Sequence, residues 1–134
     1  MDSLITHLRE KLVEAASSAQ DIAQAFERLH HHRTSLTDSN GILVRVSEAY
    51  CELLGYRPEE LVGQHFAILV PKALRQEATE LQADFIQKGA GHPSAYTIRT
   101  KDGTDIPIVL KAVIVTDEAG NRFKLAIVEP ISSS

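Results

Sequence analysis

Apolar residues near the start of the chain recur at steps of three and four: Ile5, Leu8, Leu12, Ala15, Ala19, Ile22, Phe26 and Leu29. Neither Pro nor Gly interrupts the stretch from Ser3 to Leu29. This spacing fills every a and d position of a heptad frame and predicts one amphipathic, coiled-coil-like helix. Asp2 or Ser3 supplies its N-cap oxygen. The flanking positions hold Arg9 and Lys11 but also the small Ala16, Ser18, Ala23 and Ala25. A stripe this wide fits more than one surface, such as a partner helix and a sheet.

From Arg33 the period shortens. Thr34–Thr37 reads as an extended run, Asp38-Ser39-Asn40-Gly41 as a hairpin turn, and Ile42–Val46 as the returning strand. Ser47 is placed to cap a helix through Leu54, and Gly55 to end it in a left-handed conformation. Pro58 suits a first helical position, with Glu59 and Glu60 favourable in that turn and Gly63 as its stop. Pro71 opens a longer helix closed by Gly89, with Leu74, Ala78, Leu81 and Phe85 on its apolar face. Three strands follow: Ala95–Thr100, Ile106–Val115 and Arg122–Val128, joined by turns at Lys101-Asp102-Gly103 and Asp117–Asn121. Ile106–Val115 is apolar on both alternating phases, so the sheet needs cover on both faces. The helices between Ser47 and Gln87 cover one face, and the N-terminal helix is the candidate for the other.

Composition narrows the function. The 134 residues carry 14 basic and 18 acidic side chains, a net charge of −4, which argues against nucleic acid and anionic lipid as partners. Cys51 is the single cysteine, which excludes an intrachain disulfide and fits a cytoplasmic location. No apolar run is long enough to span a membrane, and no signal peptide opens the chain. His30, His31 and His32 follow one another, and consecutive helical side chains point about 100° apart, so they do not converge on a metal. His65 and His92 lack further ligands at suitable spacing, and no metal site is expected. Ser47 and Cys51 have no evident base, and the paired acids lie on turns, so no catalytic residue is assigned and the chain is read as no enzyme.

The element order and the local motifs resemble the PAS domain family over Arg33–Pro130. The resemblance rests on the Asp38-x-Asn40-Gly41 turn, the run Ser47–Tyr56, the stretch Pro58-Glu59-Glu60-Leu61-Val62-Gly63, and the two later hairpin turns. One departure is Ser47, where the family usually carries asparagine. The resemblance implies an α+β fold, a five-stranded antiparallel sheet with short helices on one face, preceded by the N-terminal amphipathic helix. The chain is then divided into that helix (residues 1–32), the PAS domain (33–130) and a tail (131–134). It implies a signal-sensing and dimerisation module acting through protein–protein contacts, with a core cavity for a small apolar ligand. The homodimer is expected through Ile5, Leu8, Leu12, Ala15, Ala19, Ile22, Phe26 and Leu29, with a kinase, cyclase or transcription factor downstream. Candidate pocket residues are Tyr50, Leu54, Phe66, Leu69, Leu81, Phe85, Tyr96, Ile98, Leu110 and Ile127.

No cofactor is expected, with haem and FAD as the alternatives. Haem-binding relatives usually supply a His from the long helix, and Pro71–Gln87 has none; His65 is the remaining candidate. The stretch Gly63-Gln64-His65-Phe66-Ala67 lacks the cysteine of flavin photosensors, and the absence of tryptophan disfavours FAD. The chain bears no kinase, cyclase or receiver signature. Met1 favours a true start, and the chain is either a stand-alone domain or the sensory piece of a longer protein.

Overall fold

Alternation of apolar and polar residues in the strands, and of caps and stops in the helices, assembles a sheet sandwiched between two helical layers. A computed structural model describes residues 2–89 and 95–131; His92 and the tail residues 132–134 lie outside that set. The elements run α1 (Asp2–Ser18), α2 (Ile22–Glu27), β1 (Arg33–Thr37), β2 (Leu43–Val46), α3 (Glu48–Leu54), α4 (Pro58–Leu61), α5 (Arg75–Lys88), β3 (Ala95–Arg99), β4 (Asp105–Thr116) and β5 (Arg122–Pro130). Short 3-10 turns at Phe66–Leu69 and Lys72–Leu74 lead into α5. The five strands form one antiparallel sheet in the order β2-β1-β5-β4-β3. The first and last strands in sequence are therefore neighbours at its centre.

The local signals act as their chemistry requires. Asp38 Oδ1 accepts from the amides of Asn40 and Ile42, and Gly41 completes the turn at φ +80°. A Cβ on Gly41 would lie 2.7 Å from His65 Nε2, so this position demands glycine for space as well as for its backbone. Gly55 closes α3 at φ +79°, its amide bonded to the Cys51 carbonyl.

The N-terminal segment departs from expectation. It is two helices instead of one continuous helix, broken at Ala19–Asp21. Asp21 has extended backbone, and its carboxylate accepts the Gln24 amide at 2.8 Å, capping a fresh helix. That cap competes successfully with continuation, as a short acidic side chain often does.

Five of the eight heptad positions pack on the sheet face for which the N-terminal helix is the candidate cover. Leu8, Leu12, Ala15, Phe26 and Leu29 are buried with Leu36, Val109, Leu125 and Ile127 of the chain's own sheet. Ile5, Ala19 and Ile22 pack at the margin of this cluster, half-buried. A sheet apolar on both faces claims the nearest amphipathic helix within the chain, which explains why the wide stripe is used here.

The opposite face carries a second core of Leu43, Tyr50, Cys51, Leu54, Leu61, Leu69, Ile98, Ile108 and Val128. The two phases of β4 separate cleanly, with Ile108 in this core and Val109 in the other.

Ser47 ties the layers together. Its hydroxyl donates to the His32 carbonyl at 2.7 Å and accepts from the amides of Thr34 and Tyr50. One buried oxygen thus joins the end of the N-terminal segment, β1 and the start of α3.

Candidate functional site

Between the sheet and α3, α5 and the 3-10 turns lies a cavity of about 50 Å³. On the scale where one water needs ~10–15 Å³, that is room for about four water-sized atoms, so a molecule of a few heavy atoms fits. Its apolar wall includes Leu43, Phe66, Leu69, Val70, Ile98, Ile108, Leu110 and Val128. Strand alternation delivers the rest: β1 contributes Ser35 and Thr37, and β5 contributes Lys124, Ala126 and Val128.

The polar groups are buried and connected. Lys124 is 6% exposed and Gln82 4%. Lys124 Nζ donates to Gln82 Oε1 at 2.8 Å, and Gln82 Nε2 donates to Thr37 Oγ1 at 2.7 Å. The ammonium also sits 5.5 Å from the centre of the Phe85 ring. Burial depresses the Lys124 amine to about 7. Burial pushes the Tyr50 phenol up to about 12, the Ser35 hydroxyl offsetting part of that rise. Tyr96 is raised chiefly by burial. Every fully buried side-chain nitrogen or oxygen among the described residues has a partner.

Of the expected pocket residues, Tyr50, Phe66, Leu69, Tyr96, Ile98 and Leu110 line this cavity. Leu54 is fully buried in the same core but stands behind the lining. Phe85 is buried beside Lys124 and contributes its ring to the cation from outside the lining.

Two positions are corrected. Ile127 lies on the opposite face, against the N-terminal helices. Every residue from Leu125 to Val128 is apolar, so hydrophobicity cannot fix the phase of β5, and a one-residue difference exchanges its two faces. Leu81 is half-buried and outside the lining, because the buried face of α5 is Ala78, Gln82, Phe85 and Ile86.

Lys124 and Gln82 are the polar cavity residues that pattern reading misses. The available signal was Lys124 interrupting a run that continues through Leu125, Ala126 and Ile127, and Gln82 at a helical step from both Ala78 and Phe85. A polar residue inside an apolar phase marks either an exposed edge or a site, and β5 is central.

Other candidates fall elsewhere. Arg99 bonds Asp105 across the β3–β4 hairpin at 2.8 Å. The Cys51 thiol is buried and raised by burial, with Glu59 and Glu48 adding to the rise, the opposite of an activated nucleophile. His65 Nδ1 accepts the Ala67 amide, and its ring stacks on Phe66. Among the described residues the cavity lining contains no His, Cys or Met; its possible haem ligands are Tyr50 and Tyr96, and at about 50 Å³ it has no room for haem. It also contains no tryptophan to stack on a flavin. Among the described residues no three His, Cys, Asp or Glu side chains gather into a metal-holding group. No described helix is long and apolar enough to cross a membrane.

Comparison with known proteins places this architecture. A family model described as PAS fold matches residues 24–131. The PAS domain of an HTR-like protein from Haloarcula marismortui is 22% identical, with 92% of this chain and 98% of that one covered and a TM-score of 0.65. A PAS domain from Colwellia psychrerythraea is 18% identical, over 82% of this chain and 96% of that one, at a TM-score of 0.68. A Drosophila melanogaster Cycle PAS-B domain with bound glycerol is 16% identical, over 73% and 98%, at 0.63. None of the curated proteins matches the chain.

Proposed function

The chain belongs to the PAS family, and from that premise we propose that it is a cytoplasmic sensor module that binds a small ligand in its core and signals by protein–protein contact. The observation that carries this reading is the alternation along β5. Lys124, Ala126 and Val128 face the cavity, while Leu125 and Ile127 of the same strand face α1 and α2. A ligand that shifts the strand from one side moves the packing of the N-terminal helices on the other. The well-packed sheet is the transmitting element, since close-packed interiors carry displacement without absorbing it.

The output runs through a homodimer built on the N-terminal helices and from there to a kinase, cyclase or transcription factor. The contact is placed on the surface that α1 leaves open, where Val13 is 49% exposed and Ile5 half-buried. The cavity's activated nucleophile is the Lys124 amine, and no acid or base among the lining residues stands ready to move a proton for it, so the module is proposed to bind without catalysing. Neither haem nor flavin is part of the proposal, on the cavity size given above.

Sedimentation velocity on the full chain tests the dimer. A species of twice 14.7 kDa is expected, and Val13→Glu converts it to a folded monomer. A monomer at high micromolar concentration, or a dimer indifferent to Val13→Glu, contradicts the placement.

A further inference from the structure

Lys124 is a cation buried at the centre of the molecule with no anion to meet it. Among the described residues no carboxylate lies within ion-pair distance of its Nζ. Among the described residues its one hydrogen-bond acceptor is the neutral Gln82 amide, which is occupied at both ends. Buried ammonium groups are costly unless paired, and an amide oxygen with an aromatic face compensates only part of that cost.

The rest of the cavity is donor-rich. Thr37 Oγ1 accepts from Gln82 Nε2 and retains a hydroxyl proton to give. The Ser35 and Tyr50 hydroxyls stand in the same lining, and each carries a proton to donate. No acidic side chain lines the cavity. The remaining wall is aliphatic and aromatic, and the volume of about 50 Å³ limits the occupant to a few heavy atoms.

We infer that the cavity takes a small organic carboxylate of two or three carbons. Its anionic end pairs with Lys124 and accepts from Thr37, and its short apolar tail lies against Leu69, Ile98 and Val128. This inference rests on the reading of the cavity as a ligand site. Burial depresses the Lys124 amine with no acid working against it, so a ligand's carboxylate restores the charge the site lacks.

The probe is propionate, set against propionamide, its uncharged isostere. Both are titrated into the isotope-labelled full chain below neutral pH at constant ionic strength, following amide resonances. Propionate is expected to shift Ser35, Thr37, Gln82 and Lys124 with an affinity at least about tenfold above that of propionamide, the scale of a charge-assisted hydrogen bond. In Lys124→Met the two compounds are expected to bind alike. Equal binding of both by the unaltered chain, or a propionate preference surviving in Lys124→Met, overturns the inference. Should that variant fail to fold, the comparison on the unaltered chain decides alone. Propionamide binding in the cavity without a propionate preference removes the carboxylate and leaves the ligand-cavity reading standing. Absence of any cavity shift with either compound removes both.

Discussion

At the scale of single residues, two buried polar side chains define what is particular about this chain. Lys124 carries its amine at about 7 because the surrounding core desolvates it. The titratable groups sharing its cavity are Tyr50 from α3 and Tyr96 from β3; Gln82 and Phe85 from α5 and Ser35 and Thr37 from β1 bring no charge. A lysine depressed in the folded state and ordinary in the unfolded state destabilises folding fully below about pH 7. That penalty fades as pH rises toward the unfolded lysine value near 10.5. Relative to Lys124→Met, the unaltered protein is therefore expected to gain stability between neutral pH and about pH 10. Urea unfolding of both proteins across that range checks this; a constant difference contradicts a depressed amine. Ser47 makes the second prediction at this scale. Ser47→Ala deletes three hydrogen bonds around one buried hydroxyl and orphans the Thr34 amide, and is expected to cost ~1–3 kcal/mol in urea unfolding. The family asparagine at this position is thus replaced by a serine that reaches three partners, and Ser47→Asn tests whether the larger side chain serves equally.

At the scale of elements, punctuation was more legible than phase. The caps and stops at Ser47, Gly55, Pro58, Gly63 and Gly89 act locally, and local chemistry is written in adjacent residues. The broken N-terminal helix was not legible, because the heptad pattern runs through Ala19 and Ile22 uninterrupted while the capping preference of Asp21 opposes it. The faces of β5 and α5 depend on what packs against them. Four consecutive apolar residues in β5 hide its phase, and Gln82 is buried only because Thr37 and Lys124 meet it across the fold. Half of the site was therefore readable as a set of apolar walls, and its polar centre was not.

The N-terminal helices supply the element-scale prediction. Leu12 is fully buried against the sheet. Leu12→Ala is expected to cost ~2–5 kcal/mol, the ordinary range for emptying a core leucine site, independently of protein concentration. A loss that appears only at low concentration would assign Leu12 to a contact between chains. Asp21→Ala removes the α2 cap and is expected to cost ~1 kcal/mol by the same assay.

At the scale of the whole molecule, the sheet is the shared wall of two cores. One core holds the polar cavity, and the other is built by α1 and α2 on the reverse face. Arg33 and Glu129 form an ion pair at 3.0 Å between β1 and β5, the central strands that serve both cores. On the proposed reading, sequence neighbours in β5 divide between sensing and output. The reverse face is, on that reading, the place where binding becomes a signal.

Hydrogen exchange of the full chain with and without saturating propionate tests that coupling most directly. The account predicts slower exchange in β1, β5 and α5 around the cavity, together with a change in α1 between Leu8 and Ala15 across the sheet. A response confined to the molecular surface, or one that stops at the cavity and leaves α1 unaltered, would contradict it.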